Sequence, residues 1–281
     1  MSQSNMVPFV KWAGGKRQML EPLSIRMPDT YKNYYEPFVG GGAFVFHLKP
    51  ERALINDINK ELIHTYREIR EHLDPLIVML SSMDQVTCTK EFYYEMRGRY
   101  NDKLEKQDYD TEMAALFIYL NKHCFNGLYR VNGKGQFNVP WNQKELVRSM
   151  DIENIKNISY YLKTVIITCQ DFEESLETAK AGDFIYFDSP YAPLNPTSFD
   201  SYTKEGFTEE QHRRVAKVFK ELSDRGCSCM LTNHNTELIQ ELYQGYLIEE
   251  VDVRRAINSD AKKRTGKEVI IRNYGEAVKA D

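Results

Sequence analysis

The sequence has little of what usually assigns a chain to a specialised class. Its five cysteines, Cys88, Cys124, Cys169, Cys227 and Cys229, are an odd number without metal-ligand spacing, since Cys227-x-Cys229 has no second pair or His-x-His beside it. They read as reduced, mostly buried thiols, so neither a disulfide framework nor a metal is expected. No apolar run approaches the ~20 residues of a membrane-spanning helix, and no membrane association is expected. The N-terminal MSQSNMVPFV lacks a basic stretch followed by an apolar core and a small-residue cleavage site. The expectation is therefore a cytoplasmic protein. Excess positive charge is missing too: a formal net charge of −4 does not advertise a polyanionic partner, so any basic face must be local. Neither G-x-G-x-x-G nor G-x-x-x-x-G-K-[ST] occurs, which disfavours nicotinamide dehydrogenases and phosphate-loop enzymes.

What is present suits an ordinary globular protein. Hydrophobic residues are 42% and charged residues 28% of 281, close to the average. A chain of this length buries roughly 75% of the surface exposed when unfolded, enough for an independent core. Apolar runs at 34–38, 53–55, 164–169, 184–187, 227–231 and 269–271 suit strands buried on both faces. Helical patterns lie between several of them, including 42–48, 62–69 and 208–222. This alternation predicts an α/β domain with a mainly parallel sheet. The stretch from about Glu61 to Lys163 is rich in tyrosine and charge, with 111–124 as its clearest helix, and reads as a helical insertion. One cationic segment stands out: between Arg254 and Lys267, Arg254, Arg255, Lys262, Lys263, Arg264 and Lys267 face Asp260 alone, a local charge of +5. It reads either as a solvated loop or as a clamp on phosphates.

Two strand ends carry residues suited to chemistry. Tyr34 to Gly42, YYEPFVGGG, is an apolar strand followed by a glycine turn, the form that lets backbone approach a ligand at the carboxyl end of a parallel strand. Asp57, in Asn56-Asp57-Ile58-Asn59 after the next strand, can accept ribose hydroxyls or cap the next helix. The pair favours a nucleoside site, and the lack of a phosphate fingerprint favours a phosphate-free, positively charged cofactor. The other strand end is Gly182 to Tyr191, GDFIYFDSPY. The exocyclic amine of adenine is a poor nucleophile because its lone pair is delocalised into the ring. A side-chain carboxylate and a backbone carbonyl accepting its two N–H bonds would pull charge onto nitrogen while an aromatic face holds the extruded base. Asp188, the Ser189 carbonyl and Tyr191 supply these elements.

With KWAGGK at Lys11 to Lys16, EPFVGGG at Glu36 to Gly42, NDIN at Asn56 to Asn59, HCFNGLYRVN at His123 to Asn132, FNVP at Phe137 to Pro140, Asp171-Phe172, Asp188 to Tyr191 and Asn273-Tyr274, the chain resembles the Dam-type DNA adenine-N6 methyltransferases, including the methylases of DpnII-like restriction systems. The resemblance runs over nearly the whole chain. It implies a Rossmann-like class I methyltransferase sheet, with residues 1–60 and 157–281 as catalytic domain and 61–156 as helical target-recognition domain. It implies S-adenosylmethionine as cofactor, bound by Trp12, Lys16, Phe38, Asp57 and Asp188 over the Gly40 to Gly42 turn, with Asp171 and Phe172 at its adenine. Asp188, Ser189, Pro190 and Tyr191 would form the catalytic motif. Phe125, Asn126, Leu128, Arg130 and Asn132, with Lys11 and Pro140, would read GATC in double-stranded DNA, and Arg254, Lys262, Lys263 and Arg264 would hold phosphates. A monomer or weak dimer is expected. The family pattern at the reactive end is DPPY, and here it is DSPY: Ser189 keeps the carbonyl but loses the fixed φ of proline. The rival readings are a catalytically impaired GATC-binding protein and an RNA or protein amide methyltransferase on the same sheet.

Overall fold

The computed structural model describes residues 6–16, 18–194, 207–254 and 265–277. Lys262, Lys263 and Arg264, expected at phosphates, lie outside the described residues, as does the side chain of Arg254. Among the described residues the strands are β1 (Tyr34–Glu36), β2 (Ala53–Asn56), β3 (Val165–Thr168), β4 (Phe184–Phe187), β5 (Ser228–His234), β6 (Leu247–Arg254) and β7 (Thr265–Arg272). The helices are α1 (Leu20–Ser24), α2 (Ala43–Leu48), α3 (Lys60–Glu71), α4 (Leu73–Asp84), α5 (Lys90–Lys106), α6 (Thr111–His123), α7 (Ile152–Leu162), α8 (Phe172–Ser175), α9 (Glu209–Asp224) and α10 (Glu237–Leu242). None of them is long and apolar enough to cross a membrane.

The strands form a seven-stranded sheet in the order β3-β2-β1-β4-β5-β7-β6, consistent with the class I methyltransferase sheet expected from sequence. β1 pairs in parallel with β2 and β4, and β4 with β5. The sheet is mainly parallel as expected, with one antiparallel edge, where β7 is antiparallel to both β5 and β6. Strand β6 was not anticipated. Its sequence, LIEEVDVR, reads as polar, yet Glu249 is buried and tolerated there because Arg26 (3.2 Å) and Arg272 both pair with it.

By its internal contacts the chain divides into two compact units. The first comprises Met1–Gly15, Gly40–Lys49 and Asn56–Gln170. Within it α6 is the organising helix: Asp110 caps it by accepting the Met113 N–H (2.9 Å), and every side chain from Met113 to Leu120 is buried. A helix apolar on all sides needs neighbours on all sides, and α3, α4 and α5 pack against it. The expected helical character of 61–163 is found in α3 to α7, with only isolated bridges at Cys124–Trp141 and Val131–Phe137 among the described residues.

The second unit comprises Lys16–Val39, Pro50–Ile55 and Asp171–Asp281. All four residues of β4, Phe184 to Phe187, are buried, as a run without a polar face requires. Helix α9, capped by Thr208, buries Val215, Val218, Phe219 and Leu222 and packs on β5.

Candidate functional site

In an open α/β sheet, ligands bind at the carboxyl ends of the strands where the strand order reverses. Here the reversal falls between β1 and β4. The buried strand β4 delivers Asp188 to its carboxyl end, where Lys16 Nζ lies 2.9 Å from Oδ1 and Thr232 Oγ1 donates to the same oxygen at 3.0 Å. Thr232 in turn lies 3.1 Å from the Tyr186 hydroxyl. Both contacts fall on Oδ1, so among the described residues Oδ2 is left to accept from a donor outside the protein. Burial raises the pKa of Asp188 above its ordinary value, while Lys16 and Thr232 pull it back and Glu268 adds a smaller upward push.

The Tyr191 ring is held from several directions. Lys16 Nζ sits 4.3 Å from its centroid, the His234 ring meets it edge-on at 4.9 Å, and its hydroxyl donates to Glu268 at 2.7 Å. Burial keeps this phenol well above its ordinary pKa, so it stays a donor. The chain beyond is pinned by the Ala192 N–H donating to Asn233 (2.8 Å) and by His234 Nδ1 donating to the Ala192 carbonyl (2.8 Å). Ser189 is buried, and its hydroxyl finds no hydrogen-bond partner among the described residues. Thr232, Asn233, His234 and Glu268 were missed by sequence reasoning. Each lies just outside an apolar run that reads as strand, 227–231 or 269–271, and no spacing links any of them to Asp188 or Tyr191.

Lys16, expected at the cofactor, is buried and paired with Asp188 in this structure. Phe38 packs at a tilt against Phe172 (5.2 Å between centroids), and the Arg214 guanidinium covers Phe172 at 5.0 Å while pairing with Asp171 at 3.0 Å. Asp171 also caps α8 by accepting the Glu173 N–H. These four side chains form one aromatic and ionic cluster within the second unit.

In the first unit the glycine turn and Asp57 meet directly. Gly40 N–H donates to Asp57 Oδ2 at 3.0 Å, and Asn59 N–H to Oδ1 at 2.9 Å. The cap of α3 is Asn59, which accepts the Leu62 N–H, so Asp57 is not spent as a helix cap. Each Asp57 oxygen keeps a lone pair, as a ribose diol requires of its acceptor. Burial raises its pKa and the backbone donors lower it again, with a net rise. Gly40 has φ +49°, and a Cβ there would stand 2.7 Å from Trp12 Cδ1. The indole therefore lies against bare backbone, stacked on Tyr129 at 5.6 Å. Gly42, also left-handed, caps α2. An open backbone turn beside an indole and a half-buried carboxylate fits the ribose and apolar parts of a nucleoside cofactor.

The predicted reading loop also belongs to the first unit. Phe125 and Leu128 are exposed, Asn126 has φ 56°, and Arg130 is exposed with its Nε donating to Asn138 at 2.8 Å. That bond uses one edge of the guanidinium and leaves the other edge to a planar, bidentate partner. Exposed Pro140 accepts the Phe125 N–H through its carbonyl at 2.8 Å. Asn132 is placed differently from an outward reader: its Oδ1 accepts from the Lys134 and Gln136 N–H groups and closes the turn between them.

Comparisons with known proteins bear on this geometry. The family model described as D12 class N6 adenine-specific DNA methyltransferase matches residues 12–257. The chain is 42% identical over 277 residues to the type II methyltransferase M1.LlaDCHI of Lactococcus lactis subsp. cremoris, covering 96% of each. It is 42% identical over 286 residues to the type II methyltransferase M.MjaIII of Methanocaldococcus jannaschii, covering 95% of this chain and 99% of that one. To the DNA adenine methylase of Escherichia coli (strain K12) it is 31% identical over 273 residues, covering 96% of each.

Proposed function

The chain belongs to the D12 class of N6 adenine-specific DNA methyltransferases, and on that premise we propose that its target is the adenine of GATC in double-stranded DNA, extruded from the duplex before it is methylated. The activity of the family, site-specific methylation of adenine N6 in DNA with S-adenosylmethionine, is the activity of this chain. Extrusion rests chiefly on one observation: the open Oδ2 of Asp188 and the braced ring of Tyr191 belong to one short motif at the end of a buried strand. A base stacked in a duplex does not reach such a carboxylate, whereas a flipped base meets an acceptor and an aromatic face together.

The cofactor supplies an electrophilic methyl group on a sulfonium. The roles of the chain follow from its donors and acceptors. Asp57 accepts the ribose hydroxyls through its remaining lone pairs, with Trp12 and the Gly40 to Gly42 turn as apolar floor. Phe38, Phe172 and Asp171 hold the cofactor's adenine. At the target, Asp188 Oδ2 and the Ser189 carbonyl accept the two N6–H bonds, Tyr191 stacks on the base, and Pro190 stiffens the link between them. Lys16 and Thr232, on Oδ1, favour the ionised form of Asp188, so N6 attacks while its charge is drawn towards nitrogen. The N6 proton leaves towards Oδ2 during or after transfer, with Asp188 acting as acceptor rather than as strong base.

Target choice is assigned to the 61–156 segment together with Lys11. The motif HCFNGLYRVN supports GATC through its resemblance to Dam-type readers, and the exposure of Phe125, Leu128 and Arg130 suits wedge and guanine contact. Arg254, Lys262, Lys263 and Arg264 are assigned to phosphates. Labelled methyl transfer to a GATC duplex and to each of its single-base-pair variants is the test. Label should enter GATC almost exclusively, and equal labelling of a variant would overturn the assignment. Arg130→Ala should lose roughly 1 to 3 kcal/mol of discrimination at one base pair, whereas neutralising Lys262, Lys263 or Arg264 should weaken all DNA alike.

A further inference from the structure

Beneath the exposed reading loop lies a buried side chain that no motif singled out. Asn121, in the last turn of α6, is 3% exposed. Its Oδ1 accepts the Lys11 N–H at 2.7 Å, and its Nδ2 donates to the Lys11 carbonyl at 2.8 Å and to the Gly127 carbonyl at 3.1 Å. One amide thus grips both backbone polar groups of Lys11 and, through its second N–H, the middle of the Phe125 to Arg130 turn. Lys11 lies 110 residues away in sequence and Gly127 six. The two are also packed face to face: Gly127 has φ +66°, and a Cβ there would stand 2.5 Å from Lys11 Cβ and Cδ. The stem of Lys11 therefore runs across bare backbone of the turn. All of these residues belong to the first unit.

We propose that Asn121 is a specificity-positioning residue, which joins Lys11 to the Phe125–Arg130 turn so that two distant segments present one rigid reading surface to the DNA. The inference rests on the assignment of both segments to target recognition. Its physical basis is the cost of misplacement. Base contacts discriminate only when donors are held in fixed geometry, and Lys11 and the turn have rotatable backbone on both sides. A buried amide whose three bonds are all made fixes their separation, because breaking one of them leaves a backbone carbonyl or N–H without its partner in a site buried at Gly127 and partly buried at Lys11. Asn121 itself is buried beneath the surface and touches no base.

The test uses the full chain and measures single-turnover transfer to the GATC duplex and to each single-base-pair variant. Asn121→Asp keeps the size and the acceptor for the Lys11 N–H but turns oxygen towards two carbonyls. Gly127→Ala reaches the same junction from outside by forcing the Lys11 stem off the turn. Either variant should lower the ratio of cognate to near-cognate rates by roughly tenfold to a hundredfold at the same one or two base pairs, the scale of one base contact. A generally loosened fold slows all duplexes together and leaves that ratio alone. A folded Asn121→Asp enzyme with the wild-type ratio overturns the proposal; if that variant does not fold, an unchanged ratio in Gly127→Ala overturns it. A wild-type enzyme that treats all duplexes alike overturns the recognition assignment itself, a result visible before any variant is compared.

Discussion

Two carboxylates stand just beyond strand ends in this molecule, and they are held by different kinds of partner. Asp57 is gripped by backbone, the N–H groups of Gly40 and Asn59, whereas Asp188 is gripped by side chains, the Lys16 ammonium and the Thr232 hydroxyl. Both are raised by burial above the ordinary carboxylate range. Backbone donors cannot be substituted away and move only with the chain, so they suit a group that must stay in place and bind. Side-chain donors set the proton affinity of their acceptor and can exchange one partner for another, which suits a group that must accept charge during a reaction. On the roles proposed for them, the same residue type would serve as a fixed acceptor in one unit and as a reactive one in the other.

The largest expected effect separates the two directly. Asp188→Ala should slow methyl transfer by at least ~100-fold, the scale seen when one preorganised electrostatic group is lost. Single-turnover transfer to a GATC duplex measures it, and a near-wild-type rate would remove Asp188 from the chemistry. Asp57→Ala should instead act on binding, weakening S-adenosylmethionine by about 1.5 to 3 kcal/mol. Calorimetry reads this loss, and unchanged cofactor affinity in the folded variant would sink the ribose assignment. A lower melting temperature should accompany it, because the Gly40 and Asn59 N–H groups lose their acceptor.

The next effect concerns pH. In the proposed mechanism Asp188 accepts N6–H only when ionised, so the rate should be full above its raised pKa and lost as pH falls through that value. Burial holds the value up, with Glu268 adding a smaller push, while Lys16 and Thr232 hold it down. Thr232→Val removes one lowering contact, so the acid limb of the single-turnover rate should move to higher pH. Thr232→Ser should restore it. An acid limb that stays put in Thr232→Val would mean that another group titrates. The smallest effect belongs to Ser189. Its buried hydroxyl makes no hydrogen bond among the described residues, so Ser189→Ala should leave stability and rate nearly unchanged. Ser189→Pro fixes one backbone torsion, worth about 0.4 to 1 kcal/mol, below the ~1.36 kcal/mol that a tenfold change in rate requires. Inactive wild type with activity restored in Ser189→Pro would instead establish that the serine disables the site.

Where burial is continuous along the chain, the sequence was enough. The all-apolar FIYF of β4, the helical faces of α3 and α9, and the glycine turn before α2 each carry their reason within a few residues. The strand β6 was illegible because Glu249 reads as solvent-facing until Arg26 and Arg272, from opposite ends of the chain, neutralise it inside. Asn132, read as a contact to DNA, has its oxygen engaged by its own turn, a local competition that spacing does not reveal.

The sequence by itself determined the residue types of the proposed chemistry: a carboxylate, a carbonyl and an aromatic ring within four consecutive positions, Asp188 to Tyr191. Covalent adjacency at a strand end fixes that much. Which oxygen of Asp188 is open, which side chain braces Tyr191 and which amide holds Lys11 to the Phe125–Arg130 turn were decided only by tertiary structure. Those partners come from β5, β7, α6 and the segment before α1, and a hydrogen bond between residues tens of positions apart leaves no periodic trace in the chain.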